Sequence, residues 1–365
     1  MAGWVSKVFA FNPPGLNWPR AVLILDVILV PLIVFLAIGH EEYLLSAVLG
    51  VVWTAAADPG GSYRYRVARL AVFGVVGAGL TALAFSIAGD AWGWLVLAIF
   101  ATTAAAGLAI AFGAHRAVAG MLLNVQFIIA LAVAYNFQHT HHTSHTWAQV
   151  VSWAAGSALW IVLTFVDWLI RGREDRPSPF AEMPGDTSRH PLTGPVITYI
   201  VLRAAVLAGA AALALGYNLT HGVWLVFGAF AAMKPGAGPT TVRSVQRLVG
   251  ALIGAGVAAL LLLIPANVRG KDLVSITHGL EVVALILIMH AAATFFWNYA
   301  AFQAAWVAAL LILLDVQQPT NYSALGYRLL WTLCGVGMAT VVMLLAALLP
   351  KRTAKAQAQP ARQRA

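Results

Sequence analysis

Residues 65–85, YRVARLAVFGVVGAGLTALAF, and residues 242–262, VRSVQRLVGALIGAGVAALLL, align at one constant offset of 177. Seven of the 21 positions are identical, among them Arg66/Arg243 and the run Gly77-Ala78-Gly79 against Gly254-Ala255-Gly256. Ala, Leu and Val are common enough to match by chance; an arginine and two glycines in register are harder to dismiss. A duplicated apolar unit points first to a transporter or channel, whose two halves enclose a path between them.

The repeated unit belongs in a bilayer. With 61% hydrophobic and 10% charged residues, the chain lacks the polar surface to cover a soluble globule of its size. Twelve apolar runs are separated by short polar breaks, near residues 21–38, 43–57, 69–88, 91–112, 117–136, 148–170, 196–216, 222–233, 247–264, 279–297, 299–316 and 325–349. About 20 helical residues cross the hydrocarbon core, and the alternation of a β-barrel is absent. The fold class is therefore all-α and polytopic, with about twelve transmembrane helices, six per half. Because six is even, both halves enter in the same sense, as parallel six-helix repeats related by a pseudo-twofold axis along the membrane normal.

Basic residues set the orientation, since Lys and Arg stay on the cytoplasmic side. With the N-terminus inside, eighteen of the 22 fall in cytoplasmic segments or at their helix ends. Both termini are then cytoplasmic and the protein is expected in the cell inner membrane. The net charge of +9 is explained by this bias and by a basic tail facing anionic lipid, so no nucleic-acid partner is implied. No cleavable signal is apparent before the first span. Cys334, the only cysteine, rules out an intramolecular disulfide.

The domains follow: a first membrane repeat over 1–170, a Pro- and charge-rich cytoplasmic linker over 171–195, a second repeat over 196–350, and a disordered basic tail over 351–365. Spans two and eight are short and run into Pro-Gly breaks, DPGGS and KPGAGP. Such interrupted segments at corresponding places are the sequence mark of a transporter's binding site, and equally of a tight turn. Arginines begin the next helix after each break: Arg66 and Arg69 in the first half, Arg243 and Arg247 in the second. A helix N-terminus with added arginines attracts anions; membrane anchoring alone also places arginines there.

Charges within the spans are paired by the same offset. Asp26 corresponds to Arg203 and Gln126 to Gln303, while Asp58 corresponds, shifted by one, to Lys234. An isolated charge at mid-depth costs at least about 2.5 kcal/mol, so it needs a partner or a path. Asp26 and Arg203 fit either a static ion pair or a working site in which Arg203 grips a carboxylate and Asp26 takes up protons. Gln126 and Gln303 line that path or bond between helices. His139, His141, His142 and His145 form a cluster without carboxylate or cysteine, which reads as a flexible loop, and no metal or cofactor is expected. Nucleotide-binding, zinc-protease and serine-hydrolase motifs are absent, so the chain is read as not an enzyme.

Residues 231–261, AAMKPGAGPTTVRSVQRLVGALIGAGVAALL, resemble the fusaric acid resistance protein-like (FUSC) membrane domain of the aromatic acid exporter superfamily. The likeness lies in a short helix, a Pro/Gly break, then an Arg and a Gly-Thr-x-x-Gly-like stretch, here Arg247, Gly250, Ala251 and Gly254. Asn298-Tyr299-Ala300 and Arg203 also resemble the family. Ala251 replaces the usual Thr, and Phe73 stands at the Gly250 position of the first repeat. The resemblance implies proton-coupled export of aromatic carboxylates or related organic anions, and the family is similar to plant aluminium-activated malate transporters, which are anion channels.

The expectation is an exporter of a small organic anion. Anions gather at Arg66, Arg69, Arg243 and Arg247, bind near Arg203 and Lys234 beside Gln126 and Gln303, and leave with coupling through Asp26. A passive anion channel and a non-transporting component that docks a partner are the alternatives; membrane lipid is the surrounding partner, and homo-oligomerisation stays open.

Overall fold

The computed structural model describes residues 13–140, 144–170, 172–173, 191–233, 237–266, 271–295, 297–315 and 322–362. Twelve α-helices follow the apolar runs: α1 (Trp18–Ile38), α2 (Leu44–Ala57), α3 (Tyr63–Ile87), α4 (Trp92–Leu108), α5 (Ala114–Thr140), α6 (Thr146–Ile170), α7 (Gly194–Gly216), α8 (Val223–Ala232), α9 (Ala237–Ala266), α10 (Lys271–Thr294), α11 (Tyr299–Asp315) and α12 (Tyr322–Arg362). No strand runs through the described residues. Among the described residues, nine helices are long and apolar enough to cross a membrane. The chain is an all-α, multi-pass membrane protein.

Local chemistry sets the helix ends. The Asn17 side chain accepts from Arg20 N–H at 3.1 Å to cap α1, and Gly39 closes it at φ 70°. Pro59 pushes the residue before it out of helical space, so Asp58 is extended (φ −63°, ψ 112°) and α2 stops after 14 residues. In α8, Met233 takes the same geometry (φ −79°, ψ 113°) and the helix has 10 residues. Spans two and eight are thus as short as their breaks indicate. The last helix continues into the tail expected to be disordered, where Ala, Lys and Gln favour helix.

Helix faces show which surfaces meet lipid. Along α3, Arg66, Leu70, Phe73, Gly74, Gly77, Thr81 and Ala84 are buried at three- and four-residue spacing, while Val72, Val75, Val76 and Leu83 are exposed on the other side. An apolar outer face is stable only in lipid, where the helix satisfies its own backbone. By contrast α2 is enclosed nearly all round, with eleven of its fourteen residues buried.

The chain divides into two compact units, Asn17–Ala204, and Met1–Leu16 with Ala205–Ala365. The seam lies within α7, beyond the linker at 171–195, because the start of α7 packs on the first unit: Ile200 Cγ2 stands 2.8 Å from where a Cβ on Gly107 would lie. Within the first unit α2 packs on α6, α3 on α5 and α6, and α4 on α5; within the second, α8 packs on α12, α9 on α11 and α12, and α10 on α11. The same helix pairs meet in both, with α3 resting chiefly on α6 and α9 chiefly on α11.

Glycines bring the short helices against their neighbours. A Cβ on Gly50 would sit 2.4 Å from Trp153 O, and one on Gly156 would sit 2.1 Å from Ala47 O. In the second unit a Cβ on Gly228 would sit 2.4 Å from Thr332 O, and one on Gly335 would sit 2.1 Å from Leu225 O. Backbones touch at these four points, the small-residue packing that membrane helices use where burial of apolar surface gives no drive.

Candidate functional site

The first break folds around one carboxylate. Gly60 and Gly61, at φ 69° and 82°, make a turn that glycine adopts without a Cβ clash. The turn lets Gly60 N–H donate to Asp58 Oδ1 at 3.1 Å and returns the chain so that the first turn of α3 lies beside Asp58. Arg66 grips it with two bonds, Nε to Oδ1 at 2.9 Å and Nη2 to Oδ2 at 2.5 Å. Asp58 and Arg66 are 3% and 2% exposed, so each neutralises the other's buried charge. Burial alone would raise the Asp58 carboxyl; the Arg66 hydrogen bond and charge, with Gly60 N–H and Arg20, hold it below its ordinary range. Arg20 also donates to Ala55 O at the end of α2, a carbonyl that accepts Asp58 N–H as well.

The second break has no such acid. Where the first half has Asp58, this half has Lys234, which lies outside the described residues, as does the side chain of Arg243. One turn beyond Arg243, Arg247 is buried (9% exposed), donating from Nη1 to Gln303 Oε1 and hydrogen-bonded to the Tyr299 side chain. This contact depends on Gly250 and Gly254, whose absent Cβ atoms would lie 2.6 Å from Ala300 O and 2.5 Å from Ala304 O, so that α9 lies against α11. Two buried donors have no partner among the described residues: Arg247 Nε and the Nε2 of Gln303, itself fully buried. On α11, Phe302 is stacked on Trp306 at 6.4 Å and met edge-on by Phe295, which precedes the helix, at 4.8 Å.

The other expected site residues are dispersed. Arg203 is buried in α7 and hydrogen-bonded to Tyr199, one turn back. Asp26 lies on the exposed side of α1 with Val22 and Val30, so it does not sit against Arg203 as an ion pair. Asp58 pairs with Arg66 instead, a partnership hidden from the offset because both members belong to one half. Arg69 rests on the Tyr65 ring at 4.8 Å. Gln126 donates to Thr81 at 3.2 Å, whereas Gln303 meets α9 at Gly250, two turns from the counterpart of Thr81 at Ala258. The two glutamines are therefore not equivalent in depth, because α11 begins later in its repeat than α5. His139, His141 and His142 lie outside the described side chains; His145 stacks on Trp147 at 6.2 Å.

A second cation escaped the sequence reading. Arg328, 7% exposed near the start of α12, lies 5.9 Å from the Trp224 ring. Measured from the Gly156/Gly335 contact, its place in the first half is Gln149, which accepts from Ser46 and donates to Glu42 O at 3.1 Å. An amide with a hydroxyl has become a guanidinium with an indole. In the loop beside it, burial first and then Arg328 lower the His221 pKa to about 4, so this imidazole is neutral at physiological pH.

The family model described as fusaric acid resistance protein-like matches residues 207–342, from within α7 into α12, spanning the second break, Arg247 and Gln303. No curated protein and no solved structure matches the chain. Over residues 207–342 this multi-pass membrane protein is similar to the fusaric acid resistance protein-like family.

Proposed function

We propose that the protein exports small organic carboxylates, chiefly aromatic ones, across the cytoplasmic membrane in a proton-coupled cycle, with both termini in the cytoplasm. The observation that carries this reading is the family match over the half that buries Arg247 against Gln303 with no carboxylate among its bonded partners. A guanidinium stays charged at any accessible pH and grips a carboxylate through parallel N–H donors, so a buried one without an acid suits a passing anion. Arg64 and Arg69 at the start of α3, with Arg243 and Lys234 in the second half, gather anions at the cytoplasmic face. The rings of Phe295, Phe302 and Trp306 offer an aryl ring an apolar surface beside the charge. Proton coupling falls to Asp26, a carboxyl on the apolar outer face of α1, where its charged form costs about 2.5–3.5 kcal/mol.

Reconstitution tests this directly. Proteoliposomes loaded with benzoate are expected to release it faster when a pH gradient is imposed, and Asp26→Asn should remove the dependence on the gradient. Large anion currents independent of any proton gradient would replace the exporter with a channel.

A further inference from the structure

We infer that each chain holds one carboxylate station, at Arg247 and Gln303 in the second half, and that the first half's counterpart is permanently filled by its own Asp58. This rests on the export reading and assigns its binding centre. The first half shows what such a station looks like when occupied. Arg66, set in the first turn of the helix after the break, presents Nε and Nη2 to two carboxylate oxygens, and both groups are fully enclosed. The carboxylate there is tethered, so it never leaves.

In the second half the tethered acid is gone and a lysine has taken its place. Arg247, one turn further along its helix than the Arg66 counterpart, is also buried, and its bonded partners among the described residues, Gln303 and Tyr299, bring no negative charge. Burying an uncompensated ion costs several kcal/mol, and arginine cannot escape by losing its proton. Among the described residues two donors are left over, Arg247 Nε and Gln303 Nε2, on side chains already joined by a hydrogen bond. Two N–H donors on one bonded pair of side chains, with one net positive charge, suit a carboxylate with its two acceptor oxygens and one negative charge. The gain is realised only when an anion from solution fills the place Asp58 fills in the other half.

The chemistry is that of any oxyanion, so a solute carboxylate and a lipid phosphate must be told apart. Full-length protein in a neutral detergent is titrated calorimetrically with benzoate, with and without added phosphatidylglycerol. The expected result is one benzoate per chain, undiminished by the lipid. Gln303→Glu keeps the shape and the bond to Arg247 but supplies a tethered carboxylate, as Asp58 does, and should weaken benzoate binding more than tenfold. Arg247→Lys keeps the charge and loses the fork; binding should weaken about tenfold. Asp58→Asn opens Arg66 and should raise the count toward two.

Unchanged affinity in Gln303→Glu overturns the station, as does a wild-type protein that binds phosphatidylglycerol and no benzoate. Flux separates this from the export reading. If Gln303→Glu proteoliposomes release benzoate as fast as wild type, export stands and the station falls. If benzoate binds one per chain, is lost in Gln303→Glu, and yet no flux occurs in wild type, the station stands and export falls.

Discussion

The two halves keep their backbone contacts and exchange the chemistry around them. Gly50 and Gly156 join α2 to α6 by the approaches that Gly228 and Gly335 use between α8 and α12, with the same backbone oxygens facing the glycines. Around this shared scaffold, Trp153 in the first half becomes Thr332 in the second, and Phe73 becomes Gly250. The consequence is a shift of weight between the same two neighbours. Trp153, fully buried, lies 6.3 Å from Phe73 and donates to Gly74 O at 3.0 Å, so in the first half α3 is wedged on α6 by two aromatic rings. Without those rings the second half draws α9 onto α11, and this brings Arg247 to Gln303. Duplication preserved the frame because a Cβ at a backbone contact has nowhere to go, whereas side chains facing a seam are free to diverge.

Gly156→Leu and Gly335→Leu test that equivalence most severely. In each, the new side chain starts 2.1 Å from a carbonyl oxygen of the partner helix, beyond what the ~1–3 kcal/mol of ordinary overpacking describes. Both should abolish monodisperse protein in size-exclusion chromatography. Tolerance of one and not the other would break the claim that α2–α6 and α8–α12 are the same joint.

The next largest effect separates the halves. Asp58→Asn leaves Arg66 buried without its counter-charge and should cost about 3–5 kcal/mol of stability, read as a lowered melting temperature in detergent. Arg247→Met removes a buried charge that has no acid and should be neutral or stabilising in anion-free buffer. Equal losses from both would mean that the halves are electrically alike after all. Acid sharpens the contrast. The folded Asp58 carboxyl lies below its ordinary value of 3.8, so its pairing contributes fully above that value and is lost as pH falls through the lowered one. Wild-type stability should therefore drop below about pH 4, with the Asp58 share of that drop missing in Asp58→Asn.

Much of this architecture was legible in the sequence. Run length and spacing gave twelve helices, and Pro after Asp58 marked where α2 must stop. The site was legible only in part. A constant offset finds residues that correspond, and correspondence is not contact: Asp26 and Arg203 share a register yet one is exposed and the other buried. Asp58 and Arg66, eight residues apart across a Pro-Gly-Gly turn, signalled their pairing locally, because an acid and a base on either side of so tight a return face each other. Gln126 and Gln303 misled because α11 begins later than α5 relative to the repeat, a slip that no residue in either helix reports. Arg328 sits near a helix end, where interfacial anchoring explains an arginine as well as burial does, so its place over Trp224 required the packing of α8 on α12.

The smallest effect asks what the duplicated Gly-Ala-Gly is for. Its first glycine is packed in both halves: a Cβ on Gly77 would meet the Trp153 ring at 2.3 Å, and one on Gly254 would meet Ala304 O at 2.5 Å. Its second glycine is open in both, with nothing within 4 Å of a Cβ on Gly79 or Gly256. Two residues further along a helix is about half a turn, so one glycine faces protein and the other faces lipid. Identity at the second position therefore does not come from packing within the chain. Gly79→Ala and Gly256→Ala should each leave the melting temperature unchanged or raise it slightly, since alanine favours an exposed helix by up to about 1 kcal/mol. A clear loss from either would place another surface against that face, and a loss from only one would say which half it covers.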